Sequence, residues 1–201
     1  MLWIGLSGSM GSGKSAVAQI LRDLGYAVLD ADEEARKALA PASEGLKKVV
    51  QAFGLDLLHP DGTLNREKLG QIVFKSKEKL ALLESLVHPV VQSSVRAQKE
   101  VLEKSGAQAA FYDVPLLFEK RMQPQFDKIL VVNSNLENMI QRVQKRSALS
   151  RQEILDRLAN QIPLSQKVEQ ADVVIENNGT LKELQGAVNA ALSALKLPTK
   201  A

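Results

Sequence analysis

Cysteine is absent from the 201-residue chain. That excludes a disulfide scaffold, a thiolate zinc site and a cysteine nucleophile, and it suits a reducing compartment. Aromatic residues make up only 4%, so leucine, valine, isoleucine and alanine must fill the core. No stretch approaches the roughly 18 to 20 apolar residues that a membrane helix needs. The opening MLWIGLSG has neither the basic segment nor the apolar length of a signal peptide. A cytoplasmic protein with no membrane association is expected. Strong charge of one sign is also missing: the formal net charge is +3, and the basic residues are dispersed. Such a surface can steer anionic small molecules. It lacks the basic and aromatic stripe of a nucleic-acid binder, so no nucleic acid is expected as a partner.

What is present is alternation. Short runs rich in branched or aromatic residues, Trp3–Leu6, Tyr26–Leu29, Ala109–Tyr112, Lys128–Val132 and Val173–Ile175, are separated by segments of helical period. This predicts an α/β fold with a five-stranded, mainly parallel sheet flanked by helices. A helix is expected from Lys14 to about Leu24, stopped by Gly25. Another should carry the stripe Leu181, Leu184, Val188, Leu192 and Leu195. The gap between the second and third strands is too long for a simple crossover. It reads as a helical insertion over about 33–108, with a turn at His59-Pro60-Asp61-Gly62. The charged segment of about 141–161 reads as a lid, and Ser150 with Glu153 as a capping box opening a new helix. The nucleotide core would then comprise about 1–32, 109–140 and 162–201 of a single domain.

Gly8-Ser9-Met10-Gly11-Ser12-Gly13-Lys14-Ser15 fits G-x-x-x-x-G-K-[ST], with a strand before it and a helix after it. In this P-loop pattern glycines permit a tight turn whose N–H groups face phosphate oxygens, and the helix N-terminus adds partial positive charge. Lys14 would reach the β- and γ-phosphates of ATP, and the Ser15 hydroxyl would join a magnesium shell otherwise made of water and phosphate. Regulatory GTPases carry D-x-x-G and N-K-x-D motifs, and neither occurs here. A small-molecule kinase is the better reading.

Carboxylates stand where such chemistry needs them. Asp30 and Asp32 follow the second strand and Asp113 ends the third, at the sheet edge where open α/β folds bind ligands. Asp30 reads equally well as a helix N-cap. Asp113 could hold magnesium through water. Arg142 and Arg146, four residues apart, share one helical face and could stabilise charge on a transferring phosphoryl group. His88 precedes Pro89, which suggests a helix start, and nothing in its spacing makes it a base.

Together the segments GLSGSMGSGKS, VLDADEEAR, DGTLNREKLGQIVF, LESLVHP, YDVPLLFE, QRVQKR, LANQ and ADVVIENNG, in this order, resemble the dephospho-coenzyme A kinase family nearly end to end. The P-loop is generic, whereas D-A-D, H-P and D-V-P-L-L-F-E in sequence are specific. The resemblance implies a P-loop kinase fold with a helical acceptor-binding insertion and a lid. It implies ATP-dependent phosphorylation of the 3′-hydroxyl of the ribose of dephospho-coenzyme A. Gly11, Ser12, Gly13, Lys14, Ser15 and Ala16 would bind the ATP phosphates. Asp32 would accept the hydroxyl proton, and Lys14 and Arg142 would serve catalysis from the loop and the lid. Arg146 would assist at the nucleotide, and Asn177 would lie near the adenine. Arg66, His88, Leu116, Leu117 and Phe118 would shape the acceptor site. Asp113 would support the metal or the acceptor.

Two positions depart from the family pattern. Ser9 stands where a second glycine is usual, and Ala16 where a threonine commonly follows. Another small-molecule or nucleoside monophosphate kinase is the alternative enzyme, and a nucleotide-dependent switch the alternative class. A monomer is expected, with a homo-oligomer left open.

Overall fold

The computed structural model describes residues 1–199. In chain order the elements are β1 (Leu2–Gly8), α1 (Lys14–Asp23), β2 (Ala27–Asp30), α2 (Ala31–Ala38), α3 (Glu44–Phe53) and α4 (Arg66–Val73). They continue with α5 (Lys77–Lys104), β3 (Ala109–Asp113), β4 (Lys128–Asn133), α6 (Leu136–Arg146), α7 (Arg151–Ala159), α8 (Leu164–Glu169), β5 (Val173–Glu176) and α9 (Leu181–Ala194). The chain forms two compact units, one of Met1–Leu29 with everything from Leu102 onward, the other of Asp30–Val101. The insertion thus begins at Asp30 and ends at Val101, inside the 33–108 expected at its far end. Residues 141–161, the end of α6 and all of α7, cluster with the first unit.

The first unit is built on a five-stranded sheet in the order β2-β3-β1-β4-β5. β1 runs parallel to both β3 and β4, and β4 parallel to β5. Alternation in β1 sends Ile4 and Leu6 to one face. There they meet Val17, Ala18, Ile20 and Leu21 of α1 and Leu184, Val188, Ala191 and Leu192 of α9. On these helices the buried positions recur at three and four residues, the period that seats one helical face. Leu181, expected in that stripe, is 63% exposed; it is the first residue after the Thr180 cap. Trp3 is also buried, in ring contact with Tyr112 and Phe126 at centroid distances of 5.8 and 6.3 Å. Few aromatics suffice because three of them cluster.

Ends are set locally. Gly25, at φ 86°, closes α1: its N–H donates to Arg22 O and that of Tyr26 to Leu21 O. That is the paired C-terminal pattern a left-handed residue permits. At the end of α9 the same pair, Lys196 to Ser193 and Leu197 to Leu192, is made with Lys196 at φ 57°. Two aspartates pin strand entrances alike. Asp127 N–H donates to Trp3 O while its carboxylate accepts from Trp3 N–H. Asp172 does the same with Ile129, and its other oxygen takes the Lys128 ammonium.

The second unit is helical. Asp30, Ser43 and Asn65 cap α2, α3 and α4 by accepting the N–H three residues on, so the capping reading of Asp30 holds. The turn at His59–Gly62 forms, with Gly62 N–H donating to His59 O at 2.9 Å. The expectation that Pro89 opens a helix is overturned: α5 runs unbroken through His88 and Pro89. A proline inside a helix forfeits one ladder bond and costs about 3 kcal/mol. Burial of Val87, Val91 and Val95 on either side offsets that cost.

Glu34 of α2 is only 2% exposed. It accepts from Ser94 Oγ at 2.7 Å and Lys37 Nζ at 2.9 Å. Burial alone would raise its carboxyl pKa, but the bonds from Ser94, Lys37 and Gln98 outweigh it, and the net shift is downward. A folded pKa below the unfolded one stabilises the fold above the unfolded value, and that share is lost as pH falls through the folded value. Glu34→Ala is expected to cost about 1.5–3 kcal/mol at pH 7. Urea denaturation should show the gap between wild type and variant closing as pH falls below the ordinary carboxylate range.

Candidate active site

β1 ends at Gly8, and α1 begins at Lys14; the loop between them is the P-loop. Gly11 and Gly13 adopt φ 81° and 94°, the left-handed region that favours glycine. Space also demands them. A Cβ on Gly11 would lie 2.5 Å from Met139 O, and one on Gly13 would overlap Asn177 Nδ2.

The loop's carbonyls are held from behind. Asn177 Nδ2 donates to Ser12 O at 2.8 Å. Arg142 Nη1 reaches Ser12 O, Gly11 O and Ser134 Oγ at 3.3, 3.4 and 3.0 Å. Its Nη2 donates to Asn177 O at 2.8 Å. Because a trans peptide points its C=O and N–H in opposite directions, fixing the Ser12 carbonyl aims the Gly13 N–H the other way. Among the described residues, the N–H groups of Gly11, Gly13, Lys14 and Ser15 donate to no protein acceptor. The Ser12 hydroxyl is buried without a partner. Four free donors beside a ten-residue helix N-terminus make an anion cradle.

Asp113 ends β3 opposite Leu6 of β1, which brings it beside the loop. Its carboxylate pairs with Lys14 Nζ, the two side chains being 4% and 15% exposed. Ser15 is exposed at the start of α1, and Ala16 packs against the sheet core. The residue that departs from the family's threonine is thus an apolar core contact.

The two arginines of α6 have unlike surroundings. Arg142 turns inward onto the loop, and Arg146, in the last turn of α6, is exposed. Of the Leu116-Leu117-Phe118 run, Leu117 and Phe118 are fully buried and Leu116 is 41% exposed. Direct contact with an acceptor is therefore open to Leu116 and closed to the other two. In the second unit, Asp32 is exposed in the first turn of α2, and Arg66 is the exposed first residue of α4. His88 is exposed in mid-α5.

Ser134, Gln161, Glu119 and Lys167 escaped sequence reasoning. Ser134 Oγ donates to Asn177 O at 2.8 Å. Gln161 Oε1 accepts from Met10 N–H at 3.3 Å, and Lys167 pairs with Glu119 at 2.7 Å. Their partners lie tens of residues away, so no local spacing announces them. Gln161 and Glu119 do fall within the quoted LANQ and YDVPLLFE segments.

A parallel sheet whose first strand runs into a glycine loop, a lysine and a helix, with an aspartate at the end of the neighbouring strand, defines a P-loop nucleotide-binding protein. Comparison with known proteins narrows the class. The family model described as dephospho-CoA kinase matches residues 2–183, and the chain belongs to that family. A dephospho-CoA kinase of Listeria monocytogenes is 41% identical over 92% of this chain and 92% of its own. A crystal structure from Thermus thermophilus superposes with a TM-score of 0.80 at 38% identity, covering 96% and 97% of the two chains. The dephospho-CoA kinase of Campylobacter jejuni gives 0.73 at 28% identity, covering 96% of each. The chain is a phosphoryl-transferring enzyme with ATP as co-substrate.

Arg142→Lys tests the backing of the loop. A lysine cannot span the acceptors that the guanidinium fork serves. The variant should lose about 1–2 kcal/mol of stability, seen as a lowered Tm without nucleotide.

Proposed function

We propose that the chain transfers the γ-phosphoryl group of ATP to the 3′-hydroxyl of the ribose of dephospho-coenzyme A, giving coenzyme A and ADP. The observation that carries this reading is the P-loop with four undonated N–H groups beside Lys14 and Asp113, in a chain that belongs to the dephospho-CoA kinase family. The bond from the γ-phosphorus to the β–γ bridging oxygen breaks as the bond to the 3′-oxygen forms. The hydroxyl proton passes to the Asp32 carboxylate and then to water. The transition state is loose, so acceleration comes from positioning and charge stabilisation.

In this reading Gly11 through Ala16 line the phosphates, with Lys14 on the β- and γ-phosphates once nucleotide draws its ammonium away from Asp113. Asn177, placed near the adenine by the family resemblance, serves in this reading by holding the Ser12 carbonyl from behind. Arg142 serves chiefly by holding the loop, and Arg146 is the arginine available to phosphate. Arg66, His88 and Leu116 are the residues assigned to the acceptor.

Magnesium fits the donors. Among the described residues no three acidic or histidine side chains converge, but magnesium keeps water and phosphate oxygens and needs few protein ligands. Ser15 would supply a hydroxyl and Asp113 a carboxylate, and the ion would neutralise phosphate charge.

The direct test is incubation with ATP, magnesium and dephospho-coenzyme A, with detection of coenzyme A by mass. Lys14→Ala should lower kcat/KM by about 10³-fold. Asp32→Asn should lower kcat by about 10²-fold or more while leaving ATP affinity within about two-fold. ADP without coenzyme A would assign the enzyme another acceptor.

A further inference from the structure

Lys167, in α8, is 0% exposed. Its ammonium lies 2.7 Å from Glu119 Oε1, an ionic contact without hydrogen-bond geometry, and 6.0 Å from the centre of the Phe118 ring; the Glu119 side chain is 16% exposed, and its Oε2 is buried without a hydrogen-bond partner. A buried ion pair of this kind is no bargain for stability, since an apolar pair of similar volume does as well or better. Its use must lie in what it orients. The same Glu119 Oε1 accepts the Ile162 N–H at 3.0 Å. Ile162 follows Gln161, whose side-chain oxygen accepts the Met10 N–H of the P-loop at 3.3 Å. Lys167 therefore aims a carboxylate, the carboxylate fixes a backbone amide, and the residue before that amide holds the loop.

Met10 is anchored a second time. Its side chain packs against Ile140, Val143 and Ile154 of α6 and α7, with Leu158 beside it. Both contacts act on the stretch of loop just before Gly11, one of the residues whose N–H is left undonated.

We infer that Gln161 is a positioning residue for the P-loop, and that the buried Lys167–Glu119 pair acts through it to set the loop's geometry for nucleotide phosphates. The inference rests on the proposed ATP site and extends it to residues that touch no substrate. Loss of one such hydrogen bond should weaken ATP binding about five-fold. Because Lys167 works through Gln161, the two effects should not multiply.

The experiment is a double-mutant cycle on the full chain, with the Kd for ATP–magnesium measured by calorimetry and KM and kcat by coenzyme A formation. Gln161→Ala and Lys167→Met should each raise the Kd and the KM for ATP about five-fold with kcat nearly unchanged. The double variant should also stand near five-fold, not near twenty-five. Gln161→Glu, which keeps an acceptor for Met10 N–H, should hold the loop. Its added charge should weaken ATP binding in a way that salt relieves, whereas salt should not relieve the loss in Gln161→Ala. If Lys167→Met does not fold, Glu119→Leu with Lys167→Met takes its place in the cycle. That pair leaves neither a buried charge nor an acceptor for Ile162. Multiplicative losses, or a lowered Tm with unchanged Kd and KM, would overturn the inference and leave the proposed function standing. Wild-type protein that binds no ATP would overturn both.

Discussion

The structure depends on a single capture, that of the Ser12 carbonyl by Asn177 and Arg142. A glycine-rich loop has many conformations, and only one directs its amides toward a common point. Pulling this carbonyl to the rear turns the peptide over as a unit. The following amides then face the opening. Asn177 can do this because it follows β5 directly and its own N–H bonds Asn133 O, so the sheet itself locates the side chain. Arg142 can because α6 is seated by Met139, Ile140 and Val143. Gly13 completes the arrangement by having no side chain where the Asn177 amide must pass.

The wider architecture serves the same end. β1 lies at the centre of the sheet, between β3 and β4, and its last residues are buried. The loop therefore leaves from the most constrained strand, and β3 delivers Asp113 next to it. α1 and α9 close the core on one face and fix the direction of the helix whose N-terminus carries the free amides. In the helical unit, the Glu34–Ser94 bond between α2 and α5 plays the part that the sheet plays in the other. It fixes the helix that carries Asp32.

Local signals in the sequence were legible. The P-loop, the five strands, the Gly25 stop and the Ser150–Glu153 box all rest on neighbours within a few residues, and each formed within a residue or two of its expected place. Pro89 misled because a local rule for helix starts ignores the tertiary burial that carries α5 through it. The inward turn of Arg142 was not legible either. Helical spacing puts it on the same face as Arg146, but only the fold shows which guanidinium finds carbonyls behind the loop. Glu119 with Lys167, Gln161 with Met10 and Lys14 with Asp113 join residues far apart in sequence, and periodicity holds no trace of such pairings. The acceptor came from family resemblance alone, since a P-loop is shared by many chemistries.

The loop is shaped by the protein's own bonds, from Asn177, Arg142 and Gln161. Ordering backbone costs about 1–2 kcal/mol per residue, and here that loss falls at folding, when Asn177, Arg142 and Gln161 close on the loop. Association then demands little further ordering there, so more of the contact energy survives as affinity. Heat or denaturant that loosens α6 or the end of β5 should for the same reason be felt first as weaker nucleotide binding, well before the sheet itself gives way.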